Sequence, residues 1–314
     1  MRTSVVILTR DRPEDLDECL RSLAQQTVLP NEVVILDNSS NSATSELISQ
    51  SRATLPFTLL YDRGHPSLGT ATGRNRAIDQ ASGDIIFILD DDVVLIDHSY
   101  IDTILGIFEK DGADELGGVC VNSKLHPDGR LSSCTRLALR IPFLLDSVRP
   151  GKVLPSGFRS HFPSKTSRVQ CMPGCACAVR RSVVEKVRFD PGFETRPYAM
   201  SEDQDFSYRA SLDWKLLWTD ATRVWHKKSP HGARLNRHDY YLSVVLNHHY
   251  FMRKNLGRPI NHLAFWWAMV GVFLHCVATL VAGPSRMNLD GLVGFCRGIR
   301  LAAKNSVADE EWSV

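Results

Sequence analysis

Over the first two-thirds of the chain, short apolar runs alternate with stretches of helical period. The runs SVVILT (4–9), EVVILDN (32–38), FTLLYD (57–62), DIIFILDDD (84–92) and LGGVCVN (116–122) are rich in Val, Ile and Leu, and most of them end in polar residues. Runs of this length separated by helical patterns predict an α/β sheet with substantial parallel pairing. After the first run, Leu16, Cys19, Leu20 and Leu23 recur at helical spacing, with Pro13 and two acids placed for the first turn. A second helix is predicted from Ala71 to Ala81, with Gly83 just past its end. Ser201 followed by Gln204 reads as a capping box that starts a helix with Glu202 and Asp203 in its first turn. From Asn122 to Gln170 the pattern gives way to Pro-, Gly-, Ser- and Arg-rich text, read as loops that shape a pocket. In open α/β sheets ligands bind beyond the carboxyl ends of the strands. Thr9, Asp37 and Asp90 to Asp92 are therefore expected to face one crevice.

The last third is patterned differently. Leu263 to Ala282 is twenty residues without Asp, Glu, Lys or Arg, about 30 Å as a helix and long enough to span a bilayer. Basic residues flank both sides, so the positive-inside tendency assigns no crossing direction. Further on, Leu289, Leu292, Val293, Cys296 and Ala303 share a helical face near basic residues, as in an interfacial helix. Monotopic or peripheral attachment on the cytoplasmic side is favoured over a span. A helical pair buried against the rest of the chain or a second subunit is the alternative, and His275, mid-stretch, suits it.

Charge sharpens this picture. The chain of 314 residues has a formal net charge of only +2, yet residues 223–304 carry a local balance of +10 and leave −8 to the rest. Basic charge beside an apolar stretch points to an anionic membrane surface rather than nucleic acid. At 43% hydrophobic and 23% charged the composition is globular. The basic Met-Arg start followed by a strand-like run lacks a secretory apolar region, which reads as an intracellular N-terminus. Cys171, Cys175 and Cys177 have no zinc-site spacing and are expected to be buried thiols.

Candidate chemistry concentrates at the strand ends. Three adjacent carboxylates repel one another and call for a compensating cation. In an extended segment Asp90 and Asp92 point to one side and Asp91 to the other. Two oxygen donors on one side suit Mg²⁺ or Mn²⁺, although a solvated acidic turn explains an isolated Asp-x-Asp as well. Asp37 can accept hydrogen bonds from a base imide or ribose, or cap its own turn through its side chain. Arg74 can hold phosphate bidentately, whereas its neighbour Arg76 reads as a surface charge. Glu202, Asp203 and Asp205 either complement a helix N-terminus or present a general base; Asp205 also has Arg209 four residues on. His226 is a candidate third ligand for a metal.

Taken in order, VVILTRDRPEDLDECLRSLAQQT, EVVILDNSS, GRNRAIDQASGDIIFILDDD, PGCACAVRRSVVEKVRFDPGFE, EDQDFSYRA and VWH resemble the family 2 glycosyltransferases of rhamnosyltransferase-like, single-addition type. The resemblance covers about residues 3–226. It implies a GT-A fold, a Rossmann-like mixed, mostly parallel sheet flanked by helices, here with a helical C-terminal region. It implies a catalytic domain over 1–226, with 1–120 binding the nucleotide and 121–226 the acceptor; beyond it, charge and apolar pattern make 227–314 a basic helical region that associates with membrane or forms a homo-oligomer. It also implies inverting sugar transfer from a nucleotide-diphosphate donor, UDP- or dTDP-linked, to a hydroxyl of a lipid-linked or cell-envelope glycan. In that pattern Thr9, Asp37, Arg74, Asp90 and Asp91 lie on the nucleotide side. Asp92 and His226 hold the metal, Asp203 is the base, and Glu202 and Asp205 lie on the acceptor side. The chain lacks the Q-x-x-R-W motif of processive synthases and the glycine-rich first loop of sugar-nucleotide pyrophosphorylases. A non-catalytic sugar-nucleotide-binding scaffold and a sugar nucleotidyltransferase are the alternative readings.

Overall fold

A computed structural model describes residues 1–66, 68–112, 114–124, 140–195, 200–229 and 236–305. All five apolar runs form strands. In chain order the strands are β1 (Thr3–Thr9), β2 (Glu32–Asp37), β3 (Thr58–Arg63), β4 (Ile85–Asp90), β5 (Val93–Val94), β6 (Leu116–Lys124), β7 (Ser167–Val169), β8 (Ala176–Arg180) and β9 (Lys215–His226). The helices are α1 (Pro13–Ala24), α2 (Ala43–Ser51), α3 (Thr70–Gln80), α4 (Tyr100–Glu109), α5 (Arg181–Lys186), α6 (Glu202–Asp213), α7 (Arg237–Asn255), α8 (Pro259–Ala282) and α9 (Arg286–Asn305).

The chain forms two compact units, each discontinuous in sequence. The first holds Met1–Arg130, Pro163–Phe189 and Phe206–Gly232, and the second Leu131–Phe162, Asp190–Asp205 and Ala233–Val314. Parts of the stretch read from sequence as one domain over 1–226 thus belong to the second unit.

In the first unit one mixed sheet runs in the order β3-β2-β1-β4-β8-β6-β9-β5, with β7 also on β9. The β1–β2, β1–β4, β2–β3 and β6–β9 ladders are parallel, and the shorter pairings are antiparallel. Val5, Ile7, Val33, Ile35, Phe87 and Leu89 are almost completely buried, and so are Val6, Val34, Leu36, Ile86 and Ile88 between them, as expected of parallel strands covered on both faces. Leu16, Cys19, Leu20 and Leu23 of α1 meet the former set, as their spacing predicted. Burying an apolar side chain of this size contributes about 2 kcal/mol. Cys171, Cys175 and Cys177 are buried.

The second unit is built on α7, α8 and α9. Phe265, Ala268, Met269 and Val272 of α8 pack with Leu242, Val245 and Met252 of α7, and with Phe295 and Ala302 of α9. Glycine sets the α7–α9 spacing: a Cβ on Gly294 would overlap the His238 carbonyl, so only hydrogen fits there. Part of the pocket-shaping stretch expected at 122–170 lies outside the described residues. The rest includes a 3-10 turn at Ile141–Phe143 and a bridge between Val153 and Arg159.

Candidate active site

Strand register assembles the first cluster. Thr9 pairs with Asp37 and Leu8 with Asp90, which places the ends of β1, β2 and β4 side by side. Val93 of β5 pairs with His226 at the end of β9, bringing a residue far along the chain beside Asp92. His226 Nε2 lies 3.1 Å from Asp92 Oδ1 and 3.9 Å from Asp90 Oδ2. One ligand atom from each of Asp90, Asp92 and His226 falls within 4.8 Å of the others. Two carboxylates and an imidazole converging in this way fit a divalent cation. Burial alone would lower the His226 pKa, but hydrogen bonds with Asp92 and Cys175, and then the nearby Asp90 charge, hold it up to about 10. Burial would in turn raise Asp92, yet its bonds with His226 and the Ser229 amide (3.0 Å), and the Arg12 charge, keep it below the usual carboxylate range.

Asp91 does not reach the rim of the site, where the sequence reading had put it among nucleotide contacts. It is fully buried and accepts a hydrogen bond from the Thr9 hydroxyl at 2.7 Å. The Arg12 guanidinium lies 2.6 Å from Asp91 and 3.4 Å from Asp92. Asp91 points away from Asp90 and Asp92, as expected, but it does so from the turn that follows β4, and it points into protein. Burial pushes its carboxyl up to about 7 despite Arg12 and Thr9. Thr9 is itself fully buried and its hydroxyl bonds Asp91, so that group also faces protein.

Arg74 is 6% exposed, with Nη2 at 2.9 Å from Asp90 Oδ1 and 3.3 Å from the Gly174 carbonyl. Arg76 pairs with Asp62 at 2.6 Å on the surface, as read from sequence. Asp37 is fully buried, and both of its oxygens already have partners. Oδ1 accepts from the Ser39 amide at 2.8 Å, the local turn that was one of its two readings. Oδ2 accepts from the Tyr61 hydroxyl at 2.6 Å and lies 3.6 Å from Arg63.

In the second unit, α6 begins as expected at Glu202, with Asp203 half-buried. The cap differs from a capping box. Ser201 has φ +71° rather than an extended backbone, and the Gln204 amide donates to the Gly157 carbonyl at 2.8 Å. Asp205, fully buried, accepts from Lys254 and Asn255 at 2.9 and 2.8 Å. Lys254 and Tyr250 also bond Asp190 at 2.6 and 2.9 Å. One turn of α7 thus holds both ends of the segment 190–205.

Sequence reasoning missed Arg12, Tyr61, Arg63, Ser229 and Lys254. Only Arg12 carried a legible signal, a cation three residues past the end of a strand that neighbours three carboxylates.

A family model described as Glycosyl transferase family 2 matches residues 4–188. The chain belongs to that family. Relatives of this family 2 glycosyltransferase include the uncharacterized glycosyltransferase YwdF of Bacillus subtilis (strain 168), 32% identical over 92 residues, which are 29% of this chain and 33% of YwdF. The O-antigen biosynthesis protein RfbC of Myxococcus xanthus is 27% identical over 252 residues, 78% of this chain and 19% of RfbC. The chain therefore spans a third or less of the length of these relatives. Among solved structures, the mannosyltransferase PcManGT from Pyrobaculum calidifontis, in complex with GDP-Man and Mn²⁺, superposes with a TM-score of 0.58 at 16% identity, covering 99% of this chain and 88% of that one. S. aureus TarS 1–349 gives 0.55 at 16% identity, with 95% and 81% covered. The mixed, mostly parallel sheet flanked by helices, followed by a helical C-terminal region, is the GT-A architecture expected from the resemblance.

Proposed function

We propose that the chain is a divalent-metal-assisted, inverting glycosyltransferase. It moves a sugar from a UDP- or dTDP-linked donor to a hydroxyl of a lipid-linked or cell-envelope glycan, at the cytoplasmic face of an anionic membrane. The convergence of Asp90, Asp92 and His226 at the carboxyl end of β4, in a family 2 chain, carries the reading. Further support comes from two solved structures of similar fold, PcManGT in complex with GDP-Man and Mn²⁺ and S. aureus TarS 1–349 in complex with UDP-GlcNAc. RfbC and the succinoglycan biosynthesis protein ExoM of Rhizobium meliloti (strain 1021) are named for envelope or exopolysaccharide synthesis.

Asp92 and His226 would hold the metal, Mg²⁺ or Mn²⁺, with Asp90 beside them; when bound it would supply positive charge against the negative charge that grows on the departing diphosphate. Arg74 adds a guanidinium on the diphosphate side of Asp90. The region of Thr9 and Asp37 shapes the nucleoside end, with Asp37 acting through Tyr61 and Arg63 because its own oxygens already have partners. Asp203 takes the proton from the acceptor hydroxyl as that oxygen bonds to the anomeric carbon and the bond to the diphosphate oxygen breaks. A single displacement inverts the anomeric centre. Glu202 lies on the acceptor side, and Asp205 steadies the same turn.

Two variants test the reading. Asp203→Asn is expected to lower turnover 10²- to 10⁴-fold, the usual contribution of a general base, with donor affinity by calorimetry unchanged. Wild-type turnover in that variant removes Asp203 from the mechanism. Asp92→Ala is expected to abolish the enhancement of UDP binding by Mn²⁺, and an undiminished enhancement removes the metal from Asp92. A nucleotidyltransferase would instead form nucleotide sugar from a sugar phosphate and a nucleoside triphosphate.

A further inference from the structure

Helix α8 has two faces of opposite character. Its inner face, with Phe265, Ala268, Met269, Val272 and Cys276, is buried in the core of the second unit. On its outer face Leu263, Trp267, Val270, Leu274 and Val281 follow at three-, four- and seven-residue intervals, and all are exposed, Leu263 by 68% and Val281 by 75%. That spacing is one side of a helix. No Asp, Glu, Lys or Arg occurs between Pro259 and Ala282. An exposed apolar stripe of this length on a folded unit marks a surface made to be covered.

The neighbouring helix says what covers it. Phe273 of α8 meets Phe295 of α9 with ring centroids 6.1 Å apart, so the two helices form one continuous surface. On α9, Leu289, Val293 and Cys296 are exposed on the same side as Arg286, Arg297, Arg300 and Lys304, with Asp290 as the acid among them. Apolar side chains interleaved with cations match a lipid surface, where acyl chains take the former and phosphates the latter. A second copy of the chain matches poorly, because two-fold pairing would set the basic stripe near itself.

The buried face also decides how the helix meets lipid. To cross a bilayer, α8 would have to leave its partners in the core or carry α7 with it. The buried residues of α7 include Asn247, His248 and His249, which are costly in hydrocarbon. His275 is exposed on α8, contrary to its reading from sequence as a sign of burial.

We infer that the outer surface of α8 and α9 is a monotopic docking face for an anionic lipid monolayer, with the α8 stripe in the headgroup and upper acyl region and Arg297, Arg300 and Lys304 against lipid phosphates. The inference deepens the membrane placement proposed above, and it stands on the second unit's surface alone, independent of sugar transfer.

Flotation of the full chain with vesicles tests it. Binding is expected to vesicles of 30 mol% phosphatidylglycerol in phosphatidylcholine, to weaken at least tenfold on pure phosphatidylcholine, and to fall with added salt. The surface variant Leu263→Gln/Val270→Gln/Leu274→Gln is expected to lose binding at least tenfold, with an unchanged melting temperature and unchanged UDP affinity. Arg297→Glu/Arg300→Glu is expected to lose the preference for anionic vesicles. Acyl chains brominated near the headgroup are expected to quench Trp267, and Trp267→Phe to remove that part of the quenching. Undiminished binding by the triple variant overturns the inference. So does resistance of the bound protein to carbonate extraction, which indicates a span. A dimer broken by the triple variant, in a chain that ignores vesicles, would assign the face to a second copy. Loss of UDP binding by the wild-type chain with vesicle binding intact would strike the transferase reading and leave the docking face standing.

Discussion

Asp90, Asp91 and Asp92 are neighbours at the end of β4, and each faces a different partner: Arg74 at 2.9 Å, Arg12 at 2.6 Å and His226 at 3.1 Å. The arrangement answers the repulsion that three adjacent carboxylates would otherwise suffer, and it assigns them different work. Asp90 and Asp92 share His226, while Asp91 anchors the loop after β1 through Thr9 and Arg12. Arg12→Met strands a buried carboxylate and is expected to destabilise the protein by about 3 kcal/mol near pH 8. The loss should shrink in acid, because a carboxyl already raised to about 7 then takes up a proton. Asp91→Asn in the same chain should recover much of the stability. Urea unfolding of the two single variants and the double one at pH 6 and pH 8 measures both effects. At this scale the separation of Asp91 from Asp90 and Asp92 was legible, although β4 stops at Asp90 and a turn at Asp91 and Asp92, not strand period, produces it. Arg12 and His226, roughly 80 and 135 residues away, each carried a signal in the sequence, but which carboxylate each one meets is decided by tertiary structure.

The strands and α1 were legible as elements because apolar period and first-turn chemistry agree in them. The start of α6 shows where such agreement ends. Its residues suggest a capping box, but Gln204 finds a better partner in the Gly157 carbonyl and Ser201 takes a left-handed backbone. Tertiary contacts, which no local pattern encodes, decided it. Helix α7 likewise reads as mixed and weakly amphipathic because its buried side carries polar rings. His248 is stacked on Phe158 at 3.8 Å and donates from Nδ1 to the Val244 carbonyl at 2.8 Å. Burial lowers its pKa to about 4, outweighing that hydrogen bond. An unfolded imidazole titrates near about 6.5, so between these values the unfolded chain binds more protons. The contribution of this residue to stability is therefore complete above about pH 6.5 and is lost as pH falls toward 4, by about 3 kcal/mol in all. His248→Phe keeps the stack and removes the titration. Denaturation midpoints at pH 4.5 and 7 are expected to lie closer together in that variant than in the wild type.

For the whole molecule, the distinction between a sheet-bearing part and a basic helical part was visible in composition, but the boundary was not. The resemblance implied a cut near 226, whereas the second unit draws in residues 131–162 and 190–205. Leu145, Leu154 and Phe158 share a core with Leu242, Phe265 and Met269, an interleaving that only long-range packing reveals. A chain ending at His226 is expected to expose this core and to bind the dye ANS or precipitate, where the full chain stays soluble. A monomeric, cooperatively melting 1–226 fragment would contradict that expectation.

Strand order also bears on synthesis. Among the described residues the last strand to leave the ribosome is an interior one: β9 pairs with β6 on one side and with β5 and β7 on the other. Until residue 226 has emerged, β6 keeps one edge open and β5 has no neighbour. A nascent chain in that state offers unsatisfied backbone groups to any passing strand. The hazard is therefore timed, beginning when β6 emerges near residue 124 and ending when β9 closes the sheet about a hundred residues later. Slowed translation between those points should favour aggregation, and the same slowing after β9 should not.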